Sequence, residues 1–249
     1  MEDYSWCERA VFAGEAELQS YFSTDPQYYF GDPNAMRLSD FDDPKLHLAL
    51  PVLSFNPDGN SFTRAEDILG HETELGAYYR ALVERAYHYG HDFNSIRQYF
   101  WMRSSIVSKT GDFGIGFPWY DNSAEFSPMF KWITEGGEGE TFFDVDQGWQ
   151  LNGIIKGESV YFLESEDDFP INWETTDIYN NVALDLASLR AQVQANAAIV
   201  KGIIEALTAE VGVDVWTKYH YDDVTFGTEI WHPVKPKKAG FLGRLFGRK

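Results

Sequence analysis

The chain of 249 residues lacks most of the features that mark specialised protein classes. Its one cysteine, Cys7, excludes an intramolecular disulfide and favours a reducing compartment. No apolar run approaches the roughly 18 residues that a membrane-spanning helix needs. The acidic start, MEDYSWCERAVF, lacks the basic region and apolar stretch of a signal peptide. The sequence therefore predicts a cytoplasmic protein.

Basic residues are also scarce, since 20 of them face 39 acidic residues and the net charge is −19. Six of the basic residues lie in the acid-free segment 235–249, so residues 1–234 hold 14 basic and 39 acidic residues and carry −25. Such a body repels phosphate backbones, which predicts no nucleic-acid binding through it. It attracts basic proteins. Acidity that serves solubility alone is the alternative, and the sequence leaves it open.

Catalytic and cofactor motifs are missing too. The chain has no Gly-x-Ser-x-Gly sequence, and no histidine neighbours Cys7. The glycines between Gly111 and Gly116 lack the Lys-Ser/Thr pair of a phosphate-binding loop. We therefore expect no catalytic residue and no cofactor. Hydrophobic residues make up 44% of the chain and aromatic residues 16%, which is enough to build a core.

Hydrophobic periodicity predicts an α+β fold, with a single domain over residues 1–234 and a separate basic tail over 235–249. Apolar residues alternate between Phe142 and Leu163 around a turn at 156–159, which predicts an antiparallel meander near 142–165. Apolar residues at spacings of three, four and seven predict a helix over about 175–210. We expect this helix and another long one to pack against the meander.

Two further elements are expected in the first half of the chain. Residues 13–22 are compatible with a short helix. Thr63 and Glu66 have the spacing of a capping box, which predicts a helix that starts there, is interrupted near Gly70 and ends at Gly90.

Asp144 and Asp146 form the most suggestive pair of carboxylates. They follow two phenylalanines at the end of a predicted strand, where both can reach one divalent cation. A hydrophobic strand that ends in Asp-x-Asp resembles the metal-binding motif of nucleotide-sugar glycosyltransferases, although the alternating βα unit expected upstream is missing. The resemblance implies a metal-dependent carbohydrate or nucleotide-sugar enzyme. The alternative is that the two carboxylates cap a turn between strands.

A second group of residues suggests a protein-binding surface. Aromatic residues beside Asp and Asn are good interface anchors, because Trp and Tyr concentrate binding energy. The predicted partner-binding residues are Trp119, Tyr120, Asp121, Glu164, Glu166, Asp167 and Asp168. Together they would offer aromatic anchors ringed by acid. The alternative places the aromatic residues in the core and leaves the acids solvated.

The tail suggests a third surface. If it becomes helical, Phe241, Leu242, Leu245 and Phe246 share one side with Arg244 beside them. This pattern is typical of a small helix on an anionic membrane. A disordered tail and a tail docked on the acidic body are the alternatives.

The function that these patterns favour is the sequestration of a basic protein partner by an acidic, non-enzymatic binding protein. Its most concrete form is an immunity-type protein, as bacteria use to neutralise a toxin. The metal-dependent enzyme built on Asp144 and Asp146 is the first alternative, and a membrane-peripheral adaptor that docks through its tail is the second.

Overall fold

The computed structural model describes residues 4–13, 16–31, 43–93, 95–117, 120–166 and 173–217, and these form an α+β fold, as predicted. The helices are α1 (Ala65–Ile68), α2 (Glu72–Tyr89), α3 (Ser123–Glu135) and α4 (Leu186–Val211). The strands are β1 (Val11–Phe12), β2 (Ala16–Ser23), β3 (Gln27–Tyr29), β4 (His47–Ala49), β5 (Phe62–Arg64), β6 (Met102–Ser108), β7 (Gly114–Gly116), β8 (Thr141–Asp146), β9 (Trp149–Lys156), β10 (Ser159–Glu166) and β11 (Ile178–Asp185). Short 3₁₀ turns cover Ser5–Arg9, Pro44–Leu46 and Arg97–Phe100.

The strands form three sheets. A five-stranded sheet has the order β1-β11-β10-β9-β8, and only the β1–β11 pair is parallel. A four-stranded antiparallel sheet has the order β5-β2-β6-β7, and β3 pairs with β4. The predicted meander is confirmed as β8, β9 and β10. At one end of the five-stranded sheet, β8 pairs with β9 alone among the described strands.

Helix α4 joins two hydrophobic cores. Its first half contributes Leu189 and Val193 to a core that also holds the inner face of the five-stranded sheet. Its second half contributes Ile203 and Leu207 to a core built on α2. A helix of 26 residues is about 39 Å long, which is enough to reach both cores. No helix among the described residues has both the length and the apolar character needed to cross a membrane.

The predicted start of this helix near residue 175 is wrong, because Ile178–Asp185 is strand β11. Val182 and Leu184 fit a period of two as well as a helical stripe, and their pairing with β10 selects the strand. The helix starts after Asp185, whose carboxylate accepts a hydrogen bond from the Ser188 backbone N–H at 2.6 Å.

Two expectations for the first half of the chain are also wrong. Residues 16–23 form β2 and not a helix, because buried Ala16, Leu18 and Ser20 alternate with partly exposed residues against β6. The capping box is absent. Thr63 lies in β5, its hydroxyl is 2.9 Å from the Thr24 hydroxyl, and α1 begins after Arg64 without a side-chain cap. The interruption near Gly70 and the helix end at Gly90 (φ 79°) are confirmed.

Candidate functional site

Strand β8 is held in place by helix α3 and strand β9. The Trp132 ring of α3 lies 5.5 Å from the Phe142 ring of β8, centroid to centroid. Opposite Phe142 in β9 stands Gly153, where an added Cβ would lie 2.6 Å from the Trp132 ring. Only glycine leaves room for this close approach. The β8–β9 turn uses Gln147 and Gly148, both at positive φ, as a type I′ two-residue hairpin requires.

Four carboxylates lie along this strand and the turn before it. Glu138 and Glu140 are in the turn, and Asp144 and Asp146 are in β8. We call β8 together with these four residues the acidic edge. Residues 132–155 contain five acidic residues and no Lys or Arg. Glu138 and Glu140 are exposed, and their carboxylates accept hydrogen bonds from the Gly157 and Gly137 backbone N–H groups at 2.6 and 2.7 Å. The acidic edge is therefore both negatively charged and locally ordered.

The two faces of β8 differ in chemistry. Asp144 and Asp146 lie opposite Leu151 and Trp149, on the face that turns toward the core. Phe143 and Val145 lie on the other face and are 57% and 41% exposed. The strand thus carries two carboxylates and the partly buried Phe142 on one face, and exposed apolar side chains on the other.

Asp144 and Asp146 are brought together as the sequence suggested, two residues apart on one face of β8. Partial burial and the neighbouring Asp146 carboxylate raise the pKa of Asp144. Among the described residues, no third His, Cys, Asp or Glu joins the pair to make a cluster that could hold a metal ion. Metal binding by this pair stays a prediction.

Tyr120 and Asp121, predicted to bind a partner, lie at the start of α3. Tyr120 is half-buried, and its ring stacks on Phe117 at 5.5 Å. The Asp121 side chain sits beside Glu125, which closes a capping box on Asn122. Burial, with the Asp121 carboxyl as a further contribution, raises the pKa of Glu125 to about 7. These carboxylates therefore have a structural part in starting α3.

Glu164 and Glu166 separate in the structure. Glu164 is 6% exposed, and its carboxylate accepts hydrogen bonds from the Trp149 indole N–H at 2.8 Å and from the Asn180 amide. Burial raises its pKa. Glu166 is exposed at the end of β10. The structure therefore turns Glu164 into the core and leaves Glu166 at the surface.

Several predicted residues lie outside the described residues. They are Trp119, Asp167, Asp168, Phe241, Leu242, Arg244, Leu245 and Phe246. Their predicted parts in partner binding and in tail docking stay predictions.

A groove of about 1010 Å³ runs between α3 and α4. Its floor holds buried Ser20, Ser104 and Asn196, with the Ser20 hydroxyl 2.9 Å from the Ser104 hydroxyl and 2.7 Å from the Asn196 side-chain oxygen. On the groove's rim, Lys131 and Lys201 each face a glutamate one turn along the same helix, at 3.9 and 3.8 Å. Its lining holds these two lysines together with Glu135, Glu205 and Asp214, so this mixed charge selects no class of partner, in contrast to the acidic edge.

Sequence reasoning identified Asp144 and Asp146 but missed the other members of the acidic edge. The sequence analysis assigned no role to Glu138 and Glu140 in the turn, or to Phe143 and Val145 on the strand. The available signal was the absence of Lys and Arg from the 24 residues between Lys131 and Lys156. A strand in a segment whose charged residues are all acidic attracts partners of the opposite charge.

Comparison with known proteins found no matching family model, no matching curated protein and no matching solved structure. The inference of function therefore depends on the geometry and charge of the chain's own surface.

Proposed function

We propose that this protein is a non-enzymatic binding protein that sequesters a basic protein, and that the acidic edge is its contact surface. The observation that carries the proposal is the combination of exposed Phe143 and Val145 on one edge strand with four carboxylates, two on that strand and two in the turn before it. Charged groups bring a partner of opposite sign to the surface, and apolar groups then hold it there.

Long-range charge supports the same proposal. A chain with a net charge of −19 steers cations toward it from solution, and a segment without Lys or Arg concentrates that field. The Debye length is about 8 Å at physiological ionic strength, so carboxylates two residues apart along β8, such as Asp144 and Asp146, act together. Affinity should therefore fall as salt is raised.

An immunity-type protein is the most specific form of the proposal. A toxin that acts on nucleic acid needs a basic surface to meet phosphate groups. Carboxylates along an edge strand complement such a surface, so the acidic edge could cover a toxin's active site. This form predicts that the bound partner loses its activity on nucleic acid.

A peptide titration tests the proposal. The probe is a fluorescently labelled seven-residue peptide of alternating lysine and valine, and the readout is anisotropy with the full chain. The edge variant combines Glu138→Gln, Glu140→Gln, Asp144→Asn and Asp146→Asn. It should bind about 10- to 100-fold more weakly than the wild type, because four surface ion pairs are lost.

The matched control removes four exposed carboxylates elsewhere, by Glu8→Gln, Asp58→Asn, Asp67→Asn and Glu84→Gln. It changes the net charge equally and should weaken binding by no more than about threefold. An equal loss in both variants would show that net charge acts without a site. Absence of peptide binding to the wild type at low salt would contradict the proposed function.

A further inference from the structure

The free side of β8 has the properties of a docking strand. Strand β8 pairs with β9 without interruption, from Thr141 opposite Ile154 to Asp146 opposite Trp149. Among the described residues no strand pairs with its other side. Backbone N–H and C=O groups on such a side form a template for a further strand.

The edge strand β8 has only one of the usual protections against pairing, namely the carboxylates of Asp144 and Asp146 on its core-facing side, and these do not oppose a basic strand. Natural edges also carry lysine, proline or a bulge, or are very short, because these features prevent unwanted pairing. Residues 141–146, TFFDVD, contain neither lysine nor proline, and the register with β9 is regular over all six residues. Phe143 and Val145 are exposed here as well. An edge of this length and regularity can accept a strand.

The chemistry of the two faces of β8 restricts the strand that can be added. Successive side chains of the added strand point to opposite faces, next to Asp144 and Asp146 on one face and to Phe143 and Val145 on the other. Basic residues are favoured beside the carboxylates, and apolar residues beside Phe143 and Val145. The matching strand therefore alternates basic and apolar residues.

Two other occupants fit less well. A second copy of the chain, paired edge to edge, would bring the carboxylates of two β8 strands together, and like charges across a strand pair are unfavourable. The chain's own basic segment, 235–249, contains Pro236 and three glycines, which are poorly suited to a strand.

From this geometry we infer that the basic partner binds by strand addition to the free side of β8, through a segment of about six residues that alternates basic and apolar side chains. This inference rests on the proposed function and specifies how the acidic edge is used. Main-chain hydrogen bonds supply affinity in this mode, and the alternating side chains supply specificity.

Two backbone-methylated peptides test the inference. Both have the alternating lysine–valine sequence, but one carries N-methyl groups on the lysine amides and the other on the valine amides. In an added strand one set of amides faces β8 and the other faces solvent. One peptide should therefore bind about 100-fold more weakly than the parent peptide, while the other changes by no more than about threefold.

The outcomes distinguish the two levels of the argument. If the parent peptide binds and both methylated peptides bind as well as it does, strand addition is overturned and the proposed function stands. If the parent peptide does not bind, the proposed function itself fails. Hydrogen exchange gives a second measurement, since the peptide should slow exchange of amides in Thr141–Asp146 of the full chain. If the peptide does not slow exchange of these amides, the inference is overturned. It is also overturned if the amides are already protected without the peptide, by a second copy or by the chain's own tail.

Discussion

The two edges of the five-stranded sheet differ in length, pairing and charge. Strand β8 has six residues, pairs antiparallel with β9 and lies within a segment free of Lys and Arg. Strand β1 has two residues and pairs parallel with β11. Both edges expose apolar side chains, and Val11 and Phe12 of β1 are 66% and 65% exposed.

Exposure of apolar residues alone therefore does not identify a docking edge. An added strand gains one hydrogen bond for about each residue of the edge, so two residues offer too few. The surroundings of β1 also include Lys109 and Asp112, which line the same cavity of about 720 Å³ and carry opposite charges. Length and uniform charge make β8 the edge that can select a basic strand.

The largest expected effect comes from placing lysines on the apolar face of β8. The double substitution Phe143→Lys with Val145→Lys should weaken binding of the lysine–valine peptide by about 100-fold or more. It removes the apolar contact and adds repulsion to the basic probe. Anisotropy titration measures the loss, and thermal melting checks that the variant folds.

The matched control places lysines on the other edge, by Val11→Lys with Phe12→Lys. These positions are at least as exposed as Phe143 and Val145, and the substitutions change the net charge equally and remove the same two types of apolar side chain. Binding should stay within about threefold of the wild type. Equal losses in the two variants would remove the distinction between the edges.

The next effect concerns the support of β8. Gly153→Ala places a Cβ 2.6 Å from the Trp132 ring and should destabilise the fold by about 1–3 kcal/mol through overpacking. Gly116→Ala in β7 is the control, because an added Cβ there meets no atom within 4 Å. Urea denaturation should show a lower midpoint for Gly153→Ala alone. A similar midpoint for both variants would mean that Trp132 moves aside freely.

The sequence indicated the meander because its evidence is local. Alternating apolar residues and the 156–159 turn lie within about 25 residues, and both depend on strand periodicity and hairpin geometry. The identity of the edges is not local, because it requires that β1 reach β11 across most of the chain. The same reason explains residues 16–23, whose strand conformation depends on pairing with β6.

The features of the candidate site also differ in whether local sequence could predict them. Asp144 and Asp146 could be paired from sequence, since two residues along a strand return to the same face. The burial of Glu164 could not, because it depends on hydrogen bonds from Trp149 and Asn180 on two neighbouring strands. Exposure of Phe143 depends on whether another part of the chain covers that face of β8. Alternation of apolar residues along the strand does not show this.

A smaller effect separates the pH dependence of stability from that of binding. The pKa of Glu125 rises from its ordinary 4.5 to about 7, so the folded chain binds more protons than the unfolded chain between these values. Stability therefore falls as pH rises through that window. Glu125→Gln should remove this decline, because an amide can accept the backbone N–H groups and donate to Asp121.

The gain at pH 8 should be about 1 kcal/mol, reduced from the full linkage value because the Glu125 side chain is only partly buried. Urea denaturation between pH 5 and pH 8 measures it. Peptide binding should be unchanged, since Glu125 lies outside both edges. A parallel pH dependence in variant and wild type would assign the proton to another group.

The smallest effect concerns one carboxylate of β8. Partial burial raises the pKa of Asp144 above its ordinary 3.8, so this group loses its charge before an ordinary aspartate does as pH falls. Attraction to a basic strand needs the ionised Asp144 carboxylate. Affinity for the peptide is therefore highest above the raised pKa and declines below it. Asp144→Asn should weaken binding a few-fold at pH 7 and flatten the profile toward pH 4.

The control for this prediction is Asp67→Asn, which removes an exposed carboxylate in α1, away from both edges of the sheet. It should keep the wild-type profile, because the charge that responds to pH is on β8. If Asp67→Asn flattens the profile as much as Asp144→Asn does, the peptide senses the charge of the whole body. The contrast between the two edges would then depend on the length of β8 and on Phe143 and Val145, and not on its carboxylates.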